Sequence, residues 1–297
     1  MQLVRDFIYL DINRIKSVIS QLDKGLISET QTENGNSGGL NVGTEGKVPL
    51  VGSASIEADL EKYCKSSETK SPHDYIYNRV EDLLLKNEML LQIPHEEEHV
   101  FPSEVRTLID NTSFVLTKGK VTINDYSQLL TFLDKYDDLM KVLARSEISK
   151  DSTRSQQNID YQNKYNEYKN KLSSETRKDI ITFINIFYKD RIVIKITPFK
   201  ELPDFRFVGN LDKTYFRDCI DSIIYKYGTA PVSDWKMFCQ IASIPPEKRS
   251  NDVSHVAGSV IESAFHEIFD AYRILEPMVQ SVSYPEIAVT PIAIYRE

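Results

Sequence analysis

The sequence is short of cysteine and of long apolar runs, and each shortage argues against a class of protein. Cys64, Cys219 and Cys239 are odd in number and have no metal-ligand or redox-motif spacing, which fits a reducing cytosol. No run of about 18 apolar residues occurs, so no transmembrane helix is predicted. The first residues lack the small-residue cleavage site of a signal peptide. We therefore predict a cytoplasmic protein.

Basic charge is also scarce. The 36 Lys and Arg residues are outnumbered by 44 Asp and Glu residues, which gives a net charge of −8 at pH 7. Lys and Arg are interleaved with acidic residues almost everywhere, so no basic stripe is visible. Because phosphate backbones repel a chain of this sign, nucleic acid is not predicted as a partner.

Motifs of familiar enzyme classes are missing as well. The chain has no Gly-x-Gly-x-x-Gly and no Walker glycine loop. The stretch 43–47 ends in Gly-Lys but lacks the first glycine and the following Ser or Thr of a phosphate loop. We predict no catalytic residue and no cofactor, which favours a non-enzymatic protein.

The chain does contain enough apolar residues to fold. Its 297 residues are 41% hydrophobic and include 13 Phe and 16 Tyr, so wholesale disorder is excluded. The length suits two modest domains or one large one. We predict an N-terminal part over 1–145, a polar linker and long helix over 146–190, and a C-terminal part over 191–297.

Apolar periodicity indicates the fold class. Strand–helix units are predicted at 4–24, 113–143 and 205–227, with Asp11, Asn124 or Asp125, and Asp212 as N-caps and Gly25 and Gly228 as helix ends. Further strands are predicted at 191–197, 235–244 and 286–295, and a long helix at 253–275. The C-terminal order β-β-α-β-α-β predicts an α+β fold, with an antiparallel or mixed sheet covered by amphipathic helices.

An aromatic seam is predicted in the middle of the chain. Tyr161, Tyr165, Tyr168 and Leu172 recur at spacings of four, three and four on an otherwise charged helix. This narrow stripe is suited to packing against another helix.

The segment 28–66 is the feature that an ordinary domain does not require. It contains Gly38, Gly39, Gly43 and Gly46, and residues 48–60 alternate between apolar and polar side chains. One interpretation is a loop that becomes ordered on binding a ligand or partner. A plain surface loop is a second interpretation. A third is an amphipathic hairpin at 35–60 that inserts into a membrane as part of an oligomer.

Two further sets of residues are candidates for binding. Trp235, the single tryptophan, would either stack on a ligand or pack in a core, and packing is the more frequent role. Glu262, His266 and Asp270 recur every four residues and would project from one side of a helix, where they could share a metal ion. The same spacing also fits an ordinary solvated helix face.

The chain resembles an uncharacterised prokaryotic family of domains of unknown function. The resemblance is carried by short blocks along the whole chain: Phe7–Asp11, Ser17, Gln21-Leu22, the Gly-rich segment, His73-Asp74-Tyr75, Lys118–Val121, Tyr227-Gly228, Gln240–Pro245 and Thr290–Arg296. It implies a cytosolic protein without an assigned activity, and it supplies no catalytic residues.

These observations lead to one functional hypothesis and two alternatives. We expect a non-enzymatic binding, sensor or effector protein that acts through the Gly-rich segment, with a protein or small molecule as partner; the hypothesis allows a homo-oligomer. A place in stress response or phage defence follows from the type of family alone. The alternatives are a membrane-perturbing oligomer that uses 35–60 and a metal-dependent hydrolase that uses Glu262, His266 and Asp270.

Overall fold

The structure, a computed structural model, describes residues 4–33, 72–93, 102–148, 153–247 and 282–297. The elements of the first part are β1 (Asp6–Leu10), α1 (Ile12–Glu33), α2 (Pro72–Lys86), β2 (Leu90–Ile93), α3 (Pro102–Asp110) and β3 (Phe114–Asp125). Four helices follow: α4 (Tyr126–Asp134), α5 (Tyr136–Ser146), α6 (Arg154–Asn170) and α7 (Ser174–Phe187).

The C-terminal part returns to strands. Its elements are β4 (Ile192–Thr197), β5 (Phe207–Leu211), a 3-10 turn (Lys213–Tyr215), α8 (Ile220–Tyr227), β6 (Trp235–Ser243) and β7 (Ile287–Arg296). The seven described strands form one mixed sheet, so the predicted α+β class is confirmed. Strands β1 and β7 pair with each other although they come from opposite ends of the chain. The predicted division into three parts remains a prediction.

Five of the strands form a closed ring. β3 pairs with β4, β4 with β5 and β6 with both β7 and β3, all antiparallel, while β5 and β7 are parallel. The ring order β3-β4-β5-β7-β6, with α8 between β5 and β6, resembles the strand order of the five-stranded OB-fold barrel. β1 adds to β7 and β2 adds to β3 outside the ring. The periodicity of the sequence did not predict this closure.

The ring closes tightly at two glycines. β3 leaves β6 at Gly119, which is opposite Trp235, and joins β4 at the next residue, Lys120, which is opposite Thr197. A Cβ on Gly119 would lie 2.6 Å from the carbonyl carbon of Thr197, and one on Gly209 would lie 2.5 Å from Cδ of Pro291. Both positions therefore require glycine, because real side chains do not approach so closely.

Alternating side chains fill the inside of the ring. One buried cluster takes its residues from the inward positions of the strands, including Val121, Ile123, Ile192, Ile194, Ile196, Phe207, Trp235, Met237, Ile287 and Val289. Ile223 of α8 belongs to this cluster, as do Val105 and Ile109 of α3. A second cluster joins the outer surface to α1 and α2 through Ile15, Ile76, Tyr77, Phe238 and Tyr295. The barrel thus has an apolar interior and a separate apolar layer under two helices.

Several predicted helix ends differ from the structure. α1 continues past Gly25 to Glu33, because a glycine costs a helix only about 1 kcal/mol and does not end it by itself. The single helix predicted after Asp125 is two helices that meet at Lys135. Asp212 caps the short 3-10 turn, and Cys219 is the N-cap of α8.

Other local predictions are confirmed. Oδ1 of Asp11 accepts a hydrogen bond of 3.0 Å from the Arg14 amide, as an N-cap should. Asp125 accepts from the amides of Ser127 and Gln128 at the start of α4. Gly228 ends α8 with a φ of 74°, a left-handed conformation that glycine adopts without strain.

The four helices between β3 and β4 pack on one another. The aromatic residues predicted as a seam lie on α6. The Tyr136 hydroxyl of α5 donates a hydrogen bond of 2.9 Å to the carbonyl of one of them, Tyr168. Arg177 of α7 is 8% exposed. It donates hydrogen bonds of 3.0 Å to both carboxylate oxygens of Asp137, and its guanidinium lies 4.9 Å from the centre of the Tyr136 ring. These contacts join α5 to both α6 and α7.

Candidate functional site

A half-open cleft of about 250 Å³ lies between α1 and the ends of three strands. One face of α1 forms its first wall, with Arg14, Ser17, Val18, Gln21 and Leu22 at intervals of three and four residues. This spacing places the five side chains on the same side of the helix. The second wall is built by residues at the starts of β2 and β3 and within β6: Met89, Ser113, Phe114 and Gln240.

The strand pairing explains why the second wall is compact. Phe114 lies opposite Gln240 in the β3–β6 pair, and the Ser113 carbonyl accepts 3.0 Å from the Ile241 amide. The ring of Phe114 stacks on that of Phe238, with centroids 5.8 Å apart and an angle of 20° between the planes. The strand wall of the cleft is therefore fixed by backbone hydrogen bonds and by ring packing.

The cleft combines hydrogen-bonding groups with an apolar side. Its polar groups are the hydroxyls of two serines, the amides of Gln21 and Gln240, and the Arg14 guanidinium. Nε2 of Gln21 lies 3.2 Å from the Ser17 carbonyl and 3.3 Å from the Ser17 hydroxyl, so the amide is already oriented. Nε of Arg14 lies 3.2 Å from Oδ2 of Asp11, which partly balances its charge. Such groups recognise polar edges of a small molecule.

Trp235 lies inside the barrel. It is 1% exposed, and the Tyr227 ring packs against it edge-on with centroids 5.5 Å apart. Its indole nitrogen is buried, with no hydrogen-bond partner among the described residues. This position matches the packing interpretation of the sequence and is separate from the cleft lining.

All of the other predicted site residues lie outside the described residues. These are Gly38, Gly39, Gly43 and Gly46 of the Gly-rich segment, and the metal candidates Glu262, His266 and Asp270. Within the part of the chain that the structure describes, no group of three or more His, Cys, Asp or Glu side chains is placed to hold a metal ion. Across those same ranges, no helix is both long and apolar enough to cross a membrane.

Two cysteines are described in the structure. Cys239 is fully buried and faces the barrel interior, where burial raises the pKa of its thiol. Its Sγ lies 3.6 Å from the Val115 carbonyl. Cys219 is exposed at the start of α8. Cys239 therefore packs as a small core residue.

The outer surface of β4 and β5 corresponds to the surface with which OB-fold barrels bind oligonucleotides. Here Lys195 points outward from β4, and its ammonium lies 2.9 Å from Oε1 of Glu286. Arg206 approaches the same carboxylate at 3.9 Å. The cations described on this surface are thus paired with an anion, and the absence of a nucleic-acid partner remains a prediction from net charge.

The cleft was not found by sequence reasoning. Ser17, Gln21, Leu22 and Gln240 were noted only as parts of the family resemblance, and Arg14, Ser113, Phe114 and Met89 were not noted as site residues. The helical spacing on α1 was the available signal. It could not reveal the cleft, because the opposite wall comes from residues about 70 to 220 positions further along.

The fold and the cleft define an α+β protein built on a closed five-stranded barrel with a small hydrogen-bonding recess beside its first helix. Comparison with protein families places residues 4–295 in the family described as "Domain of unknown function (DUF6414)". The chain belongs to this family, which confirms the resemblance to an uncharacterised family. Neither the curated proteins nor the solved structures contain a significant match.

Proposed function

We propose that this chain is a binding protein that takes up a small polar ligand in the cleft and transmits its presence through α1. The observation that supports this is the position of the helix. Five residues of its first three turns line the cleft, and the helix continues without a break to Glu33, next to the Gly-rich sequence. A ligand that holds the first turns of α1 would therefore act directly on the segment that the sequence identifies as unusual.

The lining suggests the chemistry of the ligand. Serine hydroxyls and glutamine amides both donate and accept hydrogen bonds, whereas Arg14 only donates and favours an acceptor with partial or full negative charge. Val18, Leu22, Met89 and Phe114 offer an apolar surface beside them. The cleft volume of about 250 Å³ is slightly below the roughly 300–1,000 Å³ of typical ligand pockets. The ligand class is thus a small molecule with one apolar face and an edge rich in acceptors.

A matched pair of helix variants tests this proposal. Ser17→Trp places a large ring in the cleft, whereas Lys16→Trp places the same ring on a neighbouring exposed position of α1 that does not line it. A defined library of nucleosides, nucleotides, amino acids and sugars is screened by ligand-observed NMR against the full chain. We expect compounds that bind the wild type and Lys16→Trp but not Ser17→Trp. Binders that Ser17→Trp retains, or no binder at all, would contradict the proposal.

The role of the Gly-rich segment is tested separately. For a compound that binds the cleft, hydrogen exchange of residues 28–66 is compared with and without the compound. Slower exchange in this segment supports transmission through α1. If the compound binds but exchange in this segment is unchanged, the cleft is a ligand site and the proposed transmission through α1 is contradicted. A place in stress response or phage defence stays a prediction from the resemblance.

A further inference from the structure

Helix α5 presents an apolar stripe to solvent. Leu139 is 39% exposed, Val142 60% and Leu143 45%. Their spacing of three and four residues places them on one side of the helix. An adjacent side of the helix, about 100° away, packs inside the molecule, since Tyr136, Met140 and Ala144 are buried. Helix α5 therefore has two apolar sides, of which one is used within the chain.

The charges beside this stripe have a self-complementary order. Asp138 precedes it and Arg145 follows it, seven residues apart, so both lie along the same flank of the helix. When two copies of a helix pack antiparallel about a two-fold axis, each flank faces the same flank of the other copy. With the axis between Lys141 and Val142, Asp138 of each copy lies opposite Arg145 of the other.

We propose that the exposed stripe of α5, formed by Leu139, Val142 and Leu143, pairs with the same stripe of a second copy in antiparallel orientation. The partner is a second copy because the charge order matches itself: the acidic end of the stripe meets the basic end twice, once on each side of the axis. Seven residues span about 10.5 Å along a helix, so Asp138 and Arg145 cannot form this pair within one copy.

The neighbouring helix extends the surface. Leu129 and Phe132 of α4 are 40% and 42% exposed, and the Phe132 ring lies 5.7 Å from that of Tyr136 at the start of α5. An interface limited to two short helices is smaller than the 1,200–2,000 Å² or so of standard interfaces. The dimer is therefore weak and depends on concentration.

Sedimentation of the full chain from about 1 µM to about 500 µM tests the dimer. We expect Val142→Glu to raise its dissociation constant at least about tenfold, because the substitution buries a carboxylate at the centre of the interface. Val232→Glu is the matched control, since Val232 is 92% exposed between α8 and β6. A monomer at every concentration, or equal effects of the two substitutions, would overturn the proposal.

Charge exchange tests the orientation. Asp138→Arg and Arg145→Asp should each weaken the dimer, and the double variant should restore it, because it re-forms both pairs with their signs exchanged. Asp138 also has an ion pair of 3.0 Å with Lys141 in its own copy. Lys141→Ala removes this competing pair and frees Asp138 for Arg145 of the second copy, so the dissociation constant should not rise. A double variant as weak as the single ones would exclude the antiparallel arrangement.

Discussion

The hydroxyl of Tyr77 donates a hydrogen bond of 3.3 Å to the hydroxyl of Tyr295, across 218 positions of sequence. Arg5 lies over both rings, 5.3 Å from the centre of one and 5.0 Å from that of the other, and its guanidinium reaches Glu81 at 2.6 Å. Burial raises the pKa of Tyr295 to about 12 and that of Tyr77 well above its usual value. This cluster joins α2 and the segment before β1 to the last strand.

A double-mutant cycle on this pair should show coupling. Tyr77→Phe and Tyr295→Phe should each lower the free energy of unfolding by about 1 kcal/mol, because each leaves one buried hydroxyl without its partner. The double variant should cost less than the sum of the two. Urea denaturation gives the values, and Tyr225→Phe, at a residue 92% exposed, is the control. Strictly additive losses would mean that the two hydroxyls do not interact.

Gly119→Ala should lower the free energy of unfolding by about 1–3 kcal/mol. The new Cβ would collide with the backbone of Thr197, and only a shift of β3 against β4 could make room for it. Lys118→Ala, at the exposed neighbouring position, should change the free energy of unfolding by less than about 0.5 kcal/mol. Thermal unfolding of the two variants separates these outcomes. Equal midpoints would show that the Thr197 backbone lies further from Gly119 than the structure places it.

Protonation of His73 should destabilise the fold. Burial lowers the pKa of His73 below its usual 6.5, and the charges of Arg217 and Lys16 lower it further, although Asp74 opposes them. The folded state therefore prefers the neutral imidazole. Its contribution is fully present above pH 6.5 and is lost as the pH falls from there through the folded-state pKa.

The loss of stability between about pH 7.5 and about pH 5.5 measures this effect. It should be smaller in His73→Gln, which cannot titrate, than in the wild type. Lys16→Gln should give an intermediate loss, because it removes one of the two cations that lower the pKa. Identical pH profiles for wild type and His73→Gln would refute the prediction.

Arg177→Lys should weaken the packing of α7 on α5. A lysine cannot reproduce both the contacts to the two oxygens of Asp137 and the stacking on the Tyr136 ring. We expect a loss of about 1–3 kcal/mol in the free energy of unfolding. The exposed neighbour Lys178→Ala provides the control in the same urea titration. Equal midpoints for both variants would show that the arginine contributes only its charge.

Local rules predicted much of the secondary structure. Asp11, Asp125 and Gly228 were assigned to helix ends from residue type alone, because a cap depends on atoms within three or four residues. The same rules were wrong at three positions. The first helix continues past Gly25, a second predicted helix breaks at Lys135, and Asp212 begins a 3-10 turn instead of an α-helix. β2 and α3 were not predicted. They are four and nine residues long, and so few residues show too little apolar periodicity to be told apart from a loop.

The cleft shows where local reasoning ends. Ser17 and Gln21 were visible as polar residues on an amphipathic helix, but nothing near them in sequence indicates that Ser113 and Gln240 lie across from them. Those two residues meet because β3 and β6 pair side by side. That pairing depends on strand contacts between distant parts of the chain.

The sequence by itself determined the fold class, several helix caps and the membership of an uncharacterised family, because composition, periodicity and short motifs are local properties. The tertiary structure alone decided that β3 to β7 close into a ring, that Gly119 and Gly209 are the tight points of that ring, and that a cleft opens beside α1. These features arise from backbone pairing and steric contact between segments far apart in the chain, and no local pattern records which distant segment lies opposite.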